Sequence, residues 1–274
     1  MAVHYIQKVI TEGPDTAQFT GYVIDNNHEM GSDRVRPAVL IFPGGGYEFI
    51  SPREAEPVAL KVLGLGYHAF ILKYSVYPAL YPTALRQAAQ AILLIRHNAA
   101  AWHVDPDRII VLGFSAGGHL AASLATMWST PVLQDAASDP RLLRPSGLAL
   151  AYSVLTAGQY THQSSIDHLL GPEKHNPTLL HDVSPELHVT AETPPTFLWH
   201  TMADDLVPAE NSLQFVQRLR SAGVPAELHL FPNGGHGLSL ATDETRTPKG
   251  TEVDPQVAIW PTLFQNWVKE NFSA

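Results

Sequence analysis

Short apolar runs, separated by polar turns and interleaved with longer segments of helical period, organise this chain. Val3 to Ile10 and Gln18 to Ile24 read as two strands around Gly13-Pro14-Asp15, most simply an antiparallel pair. Ala38-Val39-Leu40-Ile41-Phe42 has no polar interruption, as a strand buried on both faces of a parallel sheet requires. Pro43-Gly44-Gly45-Gly46 ends it. Pro52 to Leu63 reads as a helix with Ser51 as N-cap, Pro52 at N1 and Glu54 at N3. Tyr67 to Tyr74 is the next strand, and Pro82 to Ala101 a long helix with Leu85, Ala88, Ala89, Ile92 and Ile95 on one face. After a turn at Asp105-Pro106 come a strand from Arg108 to Leu112 and a helix from Ala116 to Met127.

A polar, proline-containing region follows, interrupted by a strand-like Leu148 to Val154 and a short helix near Ile166 to Leu170. Thr196 to His200 is a strand, Ala209 to Ala222 a helix, and Ala226 to Phe231 a strand. Gln256 to Asn271 closes the chain as a helix carrying Ile259, Leu263 and Trp267. From Ala38 onward strand and helix alternate. That order predicts an α/β fold, a doubly wound, mostly parallel sheet with antiparallel N-terminal strands. With no repeat or linker, residues 1–274 read as one domain, and 159–192 as a small cap or insertion.

Composition narrows the classes. The 17 Lys plus Arg against 26 Asp plus Glu leave a net charge of −9, with no basic tract, which argues against nucleic-acid and anionic-membrane partners. The chain has no cysteine, so thiolate nucleophiles, disulfides and Cys-ligated metals are excluded. No apolar run is long enough to span a bilayer, and Met1 to Gly13 lacks the apolar stretch of a signal peptide, so a cytoplasmic protein is expected. The sequence leaves a homo-oligomer open.

Gly113-Phe114-Ser115-Ala116-Gly117-Gly118 stands between a strand and a helix. In that setting Gly-x-Ser-x-Gly is a nucleophile elbow, which lifts the Ser115 hydroxyl clear of the sheet. A hydroxyl needs a base to take its proton as it attacks. Among 14 histidines, His236 is favoured by its place in Asn233-Gly234-Gly235-His236-Gly237, directly after a strand. His119, four residues after Ser115, lies a turn further down its helix and reads as a packing residue. A carboxylate should fix the imidazole tautomer. Asp204 and Asp205 both follow a strand between serine and histidine, and position alone does not separate them. Backbone N–H groups of Ala116 and of Gly45 and Gly46 are the expected oxyanion donors, each worth around 3 kcal/mol of transition-state stabilisation. Tyr47, Tyr74, Tyr77 and Trp128 are candidates to line a substrate site. His162, His168, His175, His181 and His188 recur without ligand-like spacing, so no metal is expected, nor any cofactor.

These motifs resemble the esterase/lipase branch of the α/β-hydrolase superfamily, near acetyl esterases and acetylxylan-esterase-like proteins. The resemblance rests on Phe42-Pro43-Gly44-Gly45-Gly46-Tyr47, Ser51 to Pro57, Leu72-Lys73-Tyr74, Gly113 to His119, Ser184-Pro185, Pro194 to Thr201, Asp204 to Pro208 and Gly234 to Gly237. It covers almost the whole chain. In that family two residues stand between the triad carboxylate and a Val-Pro pair, which favours Asp204, with Asp205 in reserve. Pro43 stands where the hormone-sensitive-lipase-like branch has histidine, a departure that leaves the backbone donors in place. The resemblance implies a serine carboxylesterase acting on short, especially acetyl, esters of small or oligosaccharide alcohols. An arylformamidase or short-peptide hydrolase with the same triad is the nearest alternative, and a catalytically silent binding protein of this fold the alternative of another class.

Overall fold

A computed structural model describes residues 2–29 and 31–272. In chain order the elements are β1 (Val3–Glu12), β2 (Asp15–Ile24), β3 (Arg36–Phe42), α1 (Glu56–Gly64), β4 (His68–Lys73), α2 (Thr83–His97), β5 (Val104–Phe114), α3 (Ala116–Met127), β6 (Gly147–Ala151), α4 (Gln163–Leu170), α5 (Pro177–Asp182), β7 (Thr196–Thr201), α6 (Glu210–Ser221), β8 (Ala226–Phe231) and α7 (Trp260–Asn271). The strands form one sheet in the order β1-β2-β4-β3-β5-β6-β7-β8. β1 pairs antiparallel with β2, and β2 with β4. Every other pairing is parallel. This is the mostly parallel sheet with antiparallel N-terminal strands that the alternation of runs implied.

The central strands alternate their side chains between two cores. Leu40, Phe42, Phe70, Val111 and Leu198 meet Ile92 of α2, Leu120 of α3 and Phe215 of α6 on one face. Val39, Ile41, Ile110, Leu112, Phe197 and Trp199 meet Val58 of α1 and Trp260, Phe264 and Trp267 of α7 on the other. Because both faces are covered, the strands carry no polar alternation.

Several local expectations are corrected. Asp105-Pro106 lies inside β5 at a register shift rather than in a turn before it, because Val104 already pairs with Arg36. β6 stops at Ala151; Tyr152 turns out of the sheet with φ 37°. A helix, α5, forms in the region read as irregular, capped by the Asn176 side chain on the Thr178 and Leu179 N–H groups. Ile259 is exposed, and the stripe of α7 that packs inward is Trp260, Phe264, Trp267 and Val268. The helix expected from Pro52 is two pieces. A 3-10 turn, Pro52–Glu54, is separated from α1 by Ala55 at φ −100°, ψ −104°. Ser51 makes no side-chain cap, and Glu54 points into the protein, not back along a helix.

α4 and α5 lie in the 159–192 segment, which reaches the site edge of the sheet. Gly46 O accepts a hydrogen bond from His168 of α4 at 3.1 Å, and Tyr81 N donates to Leu169 O at 2.9 Å. No helix among the described residues is long and apolar enough to cross a membrane.

Candidate active site

Four loops at the carboxyl ends of β3, β5, β7 and β8 converge, where open parallel sheets place their sites. The β5–α3 turn is the tightest. An added Cβ at Gly117 would stand 2.1 Å from Phe42 O, so only glycine lets the helix start this close to the neighbouring strand. Ser115 itself takes φ 52°, ψ −120° and is 8% exposed. Such left-handed backbone costs energy in a non-glycine residue and persists only where its surroundings fix it. Here the Ser115 N–H donates to Ala151 O (3.0 Å), and Ser115 O accepts from Val154 N (3.2 Å).

His236 reaches Ser115 from the β8 loop. Its Nε2 lies 2.8 Å from Ser115 Oγ and its Nδ1 2.8 Å from Asp204 Oδ2. A carboxylate only accepts, so Nδ1 carries the proton, and Nε2 is left to accept the serine hydroxyl. Asp204 is fixed at both oxygens. Oδ1 accepts from the N–H groups of Leu206 (3.0 Å) and Val207 (2.9 Å). Oδ2 also accepts from His200 Nε2 (3.2 Å). Burial raises the Asp204 pKa, but the hydrogen bonds from His200 and His236, the His236 charge and the Val207 N–H outweigh it and hold the carboxyl well below its usual range. Asp205 is exposed and does not meet His236. His200, buried in β7 with Nδ1 on Ser212 Oγ (2.8 Å), is a second histidine on the carboxylate that sequence reasoning missed.

The glycine loop after β3 closes the other side. Gly45 has φ 130°, and a Cβ there would collide with Phe49 O at 1.9 Å, so the loop requires glycine. Among the described residues the N–H groups of Gly45, Gly46 and Ala116 have no hydrogen-bond partner. Gly44 N is different: it donates to Glu54 Oε2 at 2.7 Å. Tyr152 donates its hydroxyl to Glu54 Oε1 at 2.5 Å and packs its ring against the His236 imidazole, centroids 5.0 Å apart. Burial and the adjacent Glu54 push the Tyr152 hydroxyl well above its ordinary pKa.

A cleft of about 380 Å³ opens over Ser115. Glu48, Arg53, His162 and Ser164 bring hydrogen-bonding groups to its wall, and Phe49 and Leu206 form its apolar part. None of the four aromatic residues expected there lines it. Tyr47 is buried with its hydroxyl on His119 Nδ1 (2.8 Å), and Tyr74 donates to Pro43 O (2.8 Å). Tyr77 is exposed against His168, and Trp128 borders a separate surface cavity with Arg96 and Arg144. They sit near the motifs in sequence, but packing takes them elsewhere. His119 does pack, joining Tyr47 to Val183 O (2.8 Å); burial lowers its pKa to about 4. His162 was missed because nothing in sequence brings α4 to the cleft. Its Nδ1 shares a hydrogen bond with Ser165 Oγ (2.8 Å), and burial and the His236 charge lower its pKa.

The histidines of the 159–192 segment are also less scattered than their spacing implied. Ligand atoms of His181, Asp182 and His188 lie within 4.8 Å of one another. His188 Nε2 is already engaged by the carbonyls of His181 (3.2 Å) and Asp182 (3.1 Å).

Sheet order, elbow and converging loops define an α/β hydrolase. The chain belongs to the BD-FAE family, whose model matches residues 26–219. It is similar to an acetyl ester-xyloside bifunctional hydrolase from Caldicellulosiruptor lactoaceticus, with 38% identity, a TM-score of 0.82, and 94% of this chain and 89% of that one covered. The carboxylesterase Cest-2923 from Lactobacillus plantarum superposes with a TM-score of 0.85 at 31% identity, covering 98% of each chain. Endo-1,4-beta-xylanase B of Butyrivibrio fibrisolvens is 36% identical over 221 residues, 77% of this chain and 34% of that protein. The chain spans a third to about half of the length of the curated relatives it matches first.

Proposed function

We propose that the chain is a serine carboxylesterase that removes short acyl groups, foremost acetyl, from small or oligosaccharide alcohols. The observation that carries this reading is the unbroken hydrogen-bond chain Asp204–His236–Ser115 at the strained turn. In the first half-reaction Ser115 Oγ attacks the ester carbonyl and its proton passes to His236 Nε2. The carbonyl oxygen, now negative, is received by the N–H groups of Gly45, Gly46 and Ala116. The tetrahedral adduct collapses as His236 returns the proton to the leaving alcohol. Water then attacks the acyl-serine by the same route, releasing the acid and restoring the hydroxyl. Asp204 keeps the imidazole in the reactive tautomer and stabilises imidazolium.

The likeness to an acetyl ester-xyloside hydrolase supports an acetyl group on a sugar. The cleft supports it too, since hydroxyl-rich alcohols need hydrogen-bonding walls, and Glu48, His162 and Ser164 supply them. A substrate panel tests this. Turnover of 4-nitrophenyl acetate should exceed that of the butyrate, and acetylated xylo-oligosaccharides should be deacetylated. Preference for N-formylkynurenine over every ester would move the assignment to an arylformamidase.

No step uses a metal. Turnover after exhaustive treatment with a chelator is expected to stay within about twofold of the untreated enzyme, since the reaction's charge is met by backbone donors. A large loss, restored by zinc, would overturn the metal-free mechanism and direct attention to His181, Asp182 and His188.

A further inference from the structure

Glu54 is a buried carboxylate whose two hydrogen bonds both come from neutral donors on different sides of the site. The residue is only 4% exposed. Oε2 takes the N–H of Gly44, the residue before the two free glycine N–H groups. Oε1 takes the hydroxyl of Tyr152, whose ring backs the His236 imidazole. The Tyr152 oxygen is itself an acceptor for Ser239 N (2.9 Å), three residues after His236. Ser239 Oγ returns the link by donating to Arg53 O at 2.7 Å. The Pro52–Glu54 turn, the glycine loop and the histidine loop thus form one closed network. A sequence reading of Glu54 as the third residue of a capped helix does not survive this arrangement, because the break at Ala55 frees the side chain from α1.

Burying a carboxylate without a cation is costly and is tolerated only when its oxygens are satisfied. The network also shows why a carboxylate is needed there. Ser239 N–H occupies the Tyr152 oxygen, so the Tyr152 proton must go to Glu54. Gly44 brings a second donor. Both oxygens must accept, which an amide cannot do.

We propose that Glu54 is a positioning residue for the hydrolytic site: it turns Gly44 away from the substrate so that Gly45 and Gly46 present their N–H groups to the oxyanion, and through Tyr152 it fixes His236. This rests on the reading of Ser115 as nucleophile. Glu54 touches none of the reacting atoms in that scheme; it acts through Gly44 and Tyr152.

The test is Glu54→Gln, which keeps shape and volume but sets an N–H₂ against one of the two donors. Each preparation is first titrated with a fluorophosphonate, and Ser115 is located as the labelled residue by mass spectrometry, so that rates refer to active sites. With 4-nitrophenyl acetate, kcat per labelled site should fall about 10- to 100-fold with KM within about twofold, because displaced oxyanion donors weaken the transition state and not the ground state. Affinity for a trifluoromethyl ketone, whose adduct carries the oxyanion, should fall by the same factor as kcat/KM. A purely structural role would lower the melting temperature and the number of labelled sites but leave kcat per site and inhibitor affinity unchanged; that result would overturn the proposal. Should E54Q not fold, Tyr152→Phe decides. It retains the ring against His236 and removes one donor, and a kcat per site equal to wild type would count against the network. Wild-type protein that takes no label at Ser115 would instead sink the serine mechanism itself, and the role of Glu54 with it.

Discussion

Ser115→Ala is expected to lower kcat by about five to six orders of magnitude, the scale on which a serine hydrolase loses its acyl-enzyme route. Only one oxygen is removed. The His236–Asp204 hydrogen bond (2.8 Å) does not involve it, and neither do the glycine loop contacts. Substrate binding should therefore survive, and KM should move by less than the rate. Residual turnover of roughly 10³–10⁴ over the uncatalysed reaction should persist, from the backbone donors and bound water. The strained φ of 52° is a property of the turn and remains in the variant, so the melting temperature should change little. Steady-state hydrolysis of 4-nitrophenyl acetate measures the rate. Fluorophosphonate incorporation, one equivalent in wild type and none in the variant, ties the loss to the hydroxyl. A variant that keeps a tenth of wild-type kcat would remove Ser115 from the reaction.

The elbow could be read from sequence because its chemistry is local. The glycines around Ser115 and the flanking strand and helix form one continuous stretch of chain, and the crowding of Gly117 on Phe42 O is what the glycine spacing allows for. His236 was legible for a related reason: a glycine-rich turn at the end of a strand places it at the site edge. The two adjacent aspartates were not separable by position, since both lie in one turn. What distinguishes them is that Asp204 Oδ1 accepts the N–H groups of Leu206 and Val207, which aims Oδ2 at His236. Tertiary contacts account for the remaining differences. Tyr47 and Tyr74 resemble substrate-facing aromatics until His119 and Pro43 claim their hydroxyls. Glu54 fits a capping pattern that Gly44 and Tyr152 override. His162 enters the cleft just ahead of a helix, α4, whose docking no local periodicity expresses.

Asp204→Asn carries the second largest expected effect, and the geometry fixes its form. If the amide oxygen stays with the Leu206 and Val207 N–H groups, its N–H₂ faces His236 Nδ1 and His200 Nε2. His236 must then accept at Nδ1 and carry its proton on Nε2, where it can no longer take the Ser115 proton. If the amide turns over, the two backbone N–H groups face a donor instead. A drop in kcat of about 10⁴ follows from the wrong tautomer. Acid stability adds an independent reading. The folded Asp204 carboxyl lies below its ordinary range, whereas in the unfolded chain it titrates near ~3.9. Between those two values the unfolded state binds more protons, so stability rises with pH. The contribution of Asp204 is complete above the unfolded value and is lost as pH falls through the folded one. Denaturant midpoints measured from about pH 5 downward should therefore fall more steeply for wild type than for D204N. Asp205→Asn should leave kcat within about twofold, because its exposed carboxylate takes no part in the Asp204–His236–Ser115 chain. Equal losses in the two variants, or a D204N enzyme with kcat near wild type, would break the assignment of the third member.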